Sequence, residues 1–105
     1  MRETTVKSTT IPTTKPELKV EKPRLYKVIL LNDDYTPREF VVRVLKAEFG
    51  MTEDQAHAVM FTAHTRGLCV VAVFTKDIAE TKAARANEFA QSKGYPLQFI
   101  TEPEE

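Results

Sequence analysis

Asn32, Asp33 and Asp34 stand side by side at the end of an apolar run, and one histidine, His64, lies thirty-odd positions further along. An ionised carboxylate, an amide carbonyl and a neutral imidazole are all hydrogen-bond acceptors. Converging beside apolar side chains, they would suit a primary ammonium attached to a hydrophobic group. Two other chemistries use the same residue types. Asp33, Asp34 and His64 could hold a metal as two carboxylates and one imidazole, although the familiar two-histidine pattern is incomplete. His57 does not complete it: seven residues from His64, it lies about 10 Å away along a helix. Cys69 with His64 could be a nucleophile and its base. Cys69 sits in an apolar run where a thiol behaves as a small hydrophobe, with no orienting third group or oxyanion-hole glycines in view. A plain turn is the fourth reading, since Asn and Asp are good loop residues before a helix.

The elements that must position these groups follow from periodicity. Leu25 to Leu31 is aliphatic and aromatic, and reads as a strand interior to a sheet. Thr36-Pro37-Arg38-Glu39 predicts a helix start. Thr36 would cap the Glu39 N–H in a reciprocal box, Pro37 would be the first helical residue, and Asn32, Asp33 and Asp34 would be left without a structural task. Phe40, Val41, Val44, Leu45 and Phe49 then share one face before Gly50. Thr52-Glu53-Asp54-Gln55 is a second capping box. The helix after it carries Ala56, Val59, Met60, Ala63 and Gly67 on one face, with His64 bordering it. Leu68 to Phe74 is the most β-like run and predicts a central strand. Thr75 starts a third helix reaching about Lys93. Its Ala79, Ala83, Ala86 and Ala90 form a smooth stripe, with Ile78 and Phe89 as larger anchors. After Gly94 and Pro96, Leu97 to Thr101 predicts a last strand.

The expectation is therefore an α+β fold, a single small domain of β-α-α-β-α-β order, with helices packed on a three-stranded sheet. Residues 24–105 would form it. Residues 1–23, rich in Thr, Lys and Pro, read as a flexible N-terminal arm. Fifteen Lys and Arg balance fifteen Asp and Glu, which argues against nucleic acid and anionic membrane as partners. One cysteine excludes an intrachain disulfide, and no apolar run would span a bilayer, so a cytoplasmic protein is expected.

Tyr26-Lys27-Val28-Ile29-Leu30-Leu31-Asn32-Asp33-Asp34-Tyr35-Thr36-Pro37, then Glu39-Phe40-Val41-Val42, His64 two residues before Arg66-Gly67, Val73-Phe74-Thr75 and Ala79-Glu80-Thr81-Lys82 together resemble the ClpS family. These are bacterial adaptors that bring N-degron proteins to the ClpAP protease, and the resemblance covers about residues 24 to 103. It implies a binding module, with no catalysis and no cofactor. The α-amino group of a substrate beginning with Leu, Phe, Tyr or Trp would be held by Asn32, Asp34 and His64, with Asp33 in support. Leu30, Leu31, Thr36, Arg38, Val41, Met60, Ala63 and Leu97 would line the pocket for its side chain. The ClpA N-terminal domain would dock near Asp77, Glu80, Thr81 and Lys82. A monomer is expected, with the arm as a tether during delivery. This chain departs from the family in having Arg38 where Met is usual and Ala63 where Val is common. A looser gate and a deeper pocket would favour bulky aromatic first residues over Leu.

Overall fold

The computed structural model describes residues 23–104. All but Pro23 of the expected arm, and with it the tether, lies outside the described residues. The elements run in the expected order: β1 (Leu25–Leu31), α1 (Arg38–Phe49), α2 (Glu53–Arg66), β2 (Leu68–Thr75), α3 (Lys76–Ser92) and β3 (Gln98–Pro103). The sheet is antiparallel, in the order β2-β1-β3.

β1 is the middle strand, as its apolar run suggests, and Val28, Ile29 and Leu30 are buried. β2 is an edge strand, against the expectation of a central one. Its apolar character is divided between two faces. Cys69, Val71 and Phe74 pack against the core, whereas Leu68, Val70 and Val73 are exposed. A continuous apolar run therefore does not distinguish a strand with two neighbours from one with a single neighbour and an open outer face. The alternation slips by one residue at Val71–Ala72. There the pairing passes from Val28↔Ala72 to Ile29↔Val70, so a bulge places two β2 residues against one step of β1.

Val28 and Leu30 form the floor of the core, and Phe40, Val44 and Leu45 of α1 lie over it. Ala79, Ala83, Ala86 and Ala90 are buried, so the alanine stripe lets α3 approach the sheet closely. Phe89 anchors α3 with its ring 5.0 Å from that of Phe40. Ile78 does not anchor it and is exposed. One turn later, Lys82 reaches the last turn of α1 by donating to the Glu48 carbonyl at 2.9 Å. The Asn87 side chain blunts the β3 edge, accepting from Phe99 N–H at 2.7 Å and donating to the Phe99 carbonyl at 3.0 Å.

Candidate functional site

The start of α1 does not use the expected capping box. Pro37 occupies the cap position, its carbonyl accepts from the N–H groups of Phe40 and Val41, and no side chain caps the helix. Asp33 organises the turn instead. Its Oδ1 accepts from Tyr35 N–H and Thr36 N–H, each at 2.8 Å, and its Oδ2 accepts from the Thr36 hydroxyl at 3.0 Å. Asp33 thus has a structural task that the sequence reading had assigned to Thr36. A short acidic side chain bonds readily two and three residues ahead, and Thr36, one residue before the Pro37 cap position, donates its hydroxyl back to it. Among the described residues, the Asn32 and Asp34 side chains make no hydrogen bond, and both are exposed. The surplus of acceptors is therefore two groups, not three.

One backbone hydrogen bond fixes where this surplus faces. Asn32 N–H donates to the carbonyl of Gly67 at 3.0 Å. Gly67 closes α2 with φ +91, a left-handed conformation suited to glycine. The chain then re-enters the sheet at once, with Leu68 paired to Leu31. The end of β1 is consequently fastened to the end of α2, and His64, in the last helical turn, borders the same pocket as Asn32 and Asp34.

That pocket encloses about 530 Å³. The end of β1 and the turn contribute Leu30, Leu31 and Thr36 along with Asn32, Asp33 and Asp34. α1 contributes Arg38 and Val41, α2 contributes Met60, Ala63 and His64, and Leu97 closes the wall from the approach to β3. Every residue expected at the ammonium site or in the apolar pocket therefore lines one cavity. The polar groups gather at its mouth, while Leu30, Val41, Ala63 and Leu97 are buried. Arg38 is exposed, at the start of α1. Two further lining residues, His57 and Phe61, were not anticipated. Their spacing from His64, seven and three positions, was the available signal; His57 had been weighed only as a metal ligand.

The other chemistries lose their support. Among the described residues, no group of three or more His, Cys, Asp or Glu side chains is placed to hold a metal ion, so the alternative of a metal-binding domain using Asp33, Asp34 and His64 gains nothing from the geometry. Cys69 does not line the pocket. Burial raises its thiol pKa, outweighing the opposite pull of the Thr62 hydroxyl and the Arg66 charge, which is the wrong direction for a nucleophile. No helix among the described residues is long and apolar enough to cross a membrane.

The model of the ClpS family, ATP-dependent Clp protease adaptor proteins, matches residues 21–100. The chain belongs to the ClpS family. It is 68% identical over 97 residues to the ATP-dependent Clp protease adapter protein ClpS 2 of Mesorhizobium japonicum, covering 92% of this chain and 96% of that one. It is 71% identical over 91 residues to ClpS 1 of Rhodopseudomonas palustris, covering 87% and 88%. Among solved structures, Agrobacterium tumefaciens ClpS2 bound to L-phenylalaninamide is similar with a TM-score of 0.77 and 60% identity, over 79% of this chain and all of that one. As a ClpS protein, this chain is an adaptor of the Clp protease and not an enzyme.

The ClpS residues expected at the partner-docking surface lie on the first two turns of α3. Asp77, Glu80 and Thr81 are exposed. Lys82 is half-buried. Besides its bond to the Glu48 carbonyl, its ammonium lies 5.7 Å from the centre of the Phe74 ring, so this lysine also ties α3 to the end of α1.

Proposed function

We propose that this ClpS adaptor binds proteins by their N-terminal residue and delivers them to the ClpAP protease. The first side chain, Phe, Tyr, Trp or Leu, enters the apolar part of the pocket. The free α-ammonium meets Asn32, Asp34 and His64 at the mouth, with Asp33 shaping the turn that presents them. The observation that carries this reading is the pair of acceptors, Asn32 and Asp34, without partners among the described residues, beside His64 and above an apolar cavity. An ammonium on a hydrophobic group satisfies both halves. Phenylalaninamide, the ligand of the Agrobacterium relative, has that chemistry: a free amine next to a benzyl group.

The energetics suit an adaptor that must bind and release. Burying a Phe or Leu side chain contributes roughly 1.5–3 kcal/mol, and each charge-assisted hydrogen bond adds about 1.5–3 kcal/mol. Association and ordering costs offset part of this. Micromolar or somewhat tighter binding follows. Arg38 covers the rim with its aliphatic stem while its head stays in water. Ala63 leaves the floor deeper than a valine would, and together they favour aromatic first residues over Leu.

The ClpA N-terminal domain is the partner on this reading, docking on Asp77, Glu80, Thr81 and Lys82, with the adaptor a cytoplasmic monomer. Because Lys82 also holds α1, the exposed Glu80 is the cleaner position at which to test docking. The primary test is fluorescence anisotropy with one peptide in three forms: Phe-first, Ala-first and acetylated Phe-first. Only the first should bind well. Comparable binding of the acetylated form would overturn the reading.

A further inference from the structure

We infer that Phe61 and His57 form a second subsite, which reads the second residue of the bound peptide and prefers it apolar. This rests on the reading of the site as a receptor for a peptide N-terminus. On α2 the lining residues occupy one flank in order of depth. Ala63 is buried, Met60 is half-buried, His64 is exposed, and Phe61 is outermost with 68% of its surface in water. A phenyl ring left this open beside a binding pocket gains burial when a neighbouring apolar group covers it. His57 has nearly the same azimuth as His64, two turns earlier, so the groove continues about 10 Å along the helix beyond the ammonium end.

The cavity has the room for this. At about 530 Å³ it is larger than one aromatic side chain fills, and Phe61 and His57 belong to its lining as much as the deep residues do. The first side chain occupies the buried part against Ala63, Met60 and Leu97. The chain leaving it must pass over the rim, and the rim offers the Phe61 ring. His57 ends the groove, its Nε2 3.9 Å from a Glu53 carboxylate oxygen.

The experiment compares peptides beginning Phe-Leu and Phe-Gly, each free and N-acetylated, against the full chain and its Phe61→Ala and His57→Ala variants, with thermal unfolding as the folding check. The free Phe-Leu peptide should bind about 5-fold tighter than Phe-Gly, the scale of a partly buried apolar contact. In Phe61→Ala that ratio should fall to about 1 whatever happens to the absolute affinities, and in His57→Ala it should shrink by a smaller factor. A wild-type ratio near 1, or a ratio that survives both substitutions, overturns the subsite while leaving the ammonium reading intact. Free and acetylated peptides binding alike would instead remove that reading, and the subsite with it.

Discussion

Two helices of this protein begin within fifteen residues of each other, and their beginnings are built differently. At α2 the cap is closed and self-contained. Thr52 accepts from Gln55 N–H at 3.1 Å, and the Gln55 side chain accepts from Thr52 N–H at 3.0 Å. At α1 the cap residue is a proline with no acceptor in its side chain. The turn is held from three residues upstream by Asp33, and Asn32 and Asp34 flank it without partners of their own among the described residues. At α2 each of the two capping side chains satisfies the other residue's N–H across the turn. At α1 the acceptor that holds the turn and the acceptors left without partners among the described residues are separate residues, even though they are neighbours.

The largest test of that separation is Asp34→Ala. Losing a charge-assisted contact to a desolvated ammonium should weaken binding of a Phe-first peptide by about 100-fold, or roughly 3 kcal/mol. The thermal midpoint should stay put, because Asp34 holds nothing else in place. A drop in stability with unchanged affinity would reverse the roles assigned to the two aspartates. Asp33→Ala should do the opposite first, removing three hydrogen bonds from the turn and lowering unfolding free energy by about 1–2 kcal/mol in a denaturant titration. Peptide affinity would then fall secondarily, as the turn loosens. Thr52→Ala is the matched control at the other helix, expected to cost about 1 kcal/mol of stability with no effect on peptide binding.

The next comparison is between His64 and its surroundings at the end of α2. His57 and the turn's two aspartates face the same mouth, with Arg38 at the rim. Affinity measured at constant ionic strength should fall as pH rises through about 7.7–8.0, the ordinary pKa range of the peptide amine, because the amine loses its charge. His64→Ala should weaken binding of a Phe-first peptide by about 10-fold at neutral pH; unchanged affinity would mean that His64 is not an acceptor. The smallest effects are expected from the apolar half. Ala63→Val should shift the Trp-over-Leu preference by a few-fold toward Leu, since an added pair of methyl groups in a packed wall is felt at about 1 kcal/mol. Arg38→Met should sharpen rejection of Val-first peptides by a smaller factor. Unchanged rankings in both would place the selectivity elsewhere.

Much of this architecture is written locally. Ala79, Ala83, Ala86 and Ala90 of α3 recur at helical spacing and all four are buried, and Gly50 takes the left-handed conformation (φ +67) that its place after Phe49 suggested. Two readings went astray where a local pattern had a competitor. Thr36 reads as a cap only while Asp33 is ignored; with Pro37 at the cap position, the Thr36 hydroxyl turns back to donate to Asp33. The apolar run of β2 suggested an interior strand, but an edge strand that leaves Leu68, Val70 and Val73 open has the same composition.

The sequence by itself determined the six elements, their order, the surplus of acceptors beside an apolar run and the resemblance that gave the surplus a use. Those are properties of neighbours along the chain, set by side-chain periodicity and turn chemistry. Only the tertiary structure decided that β2 would be an edge strand, that Asp33 would hold the turn while Asp34 was left free beside the pocket, and that Phe61 and His57 would continue the wall. The physical reason is that these outcomes depend on how α2 returns to the sheet. The Asn32 to Gly67 hydrogen bond and the pairing of Leu31 with Leu68 bring that return to the end of β1, and both join residues more than thirty positions apart.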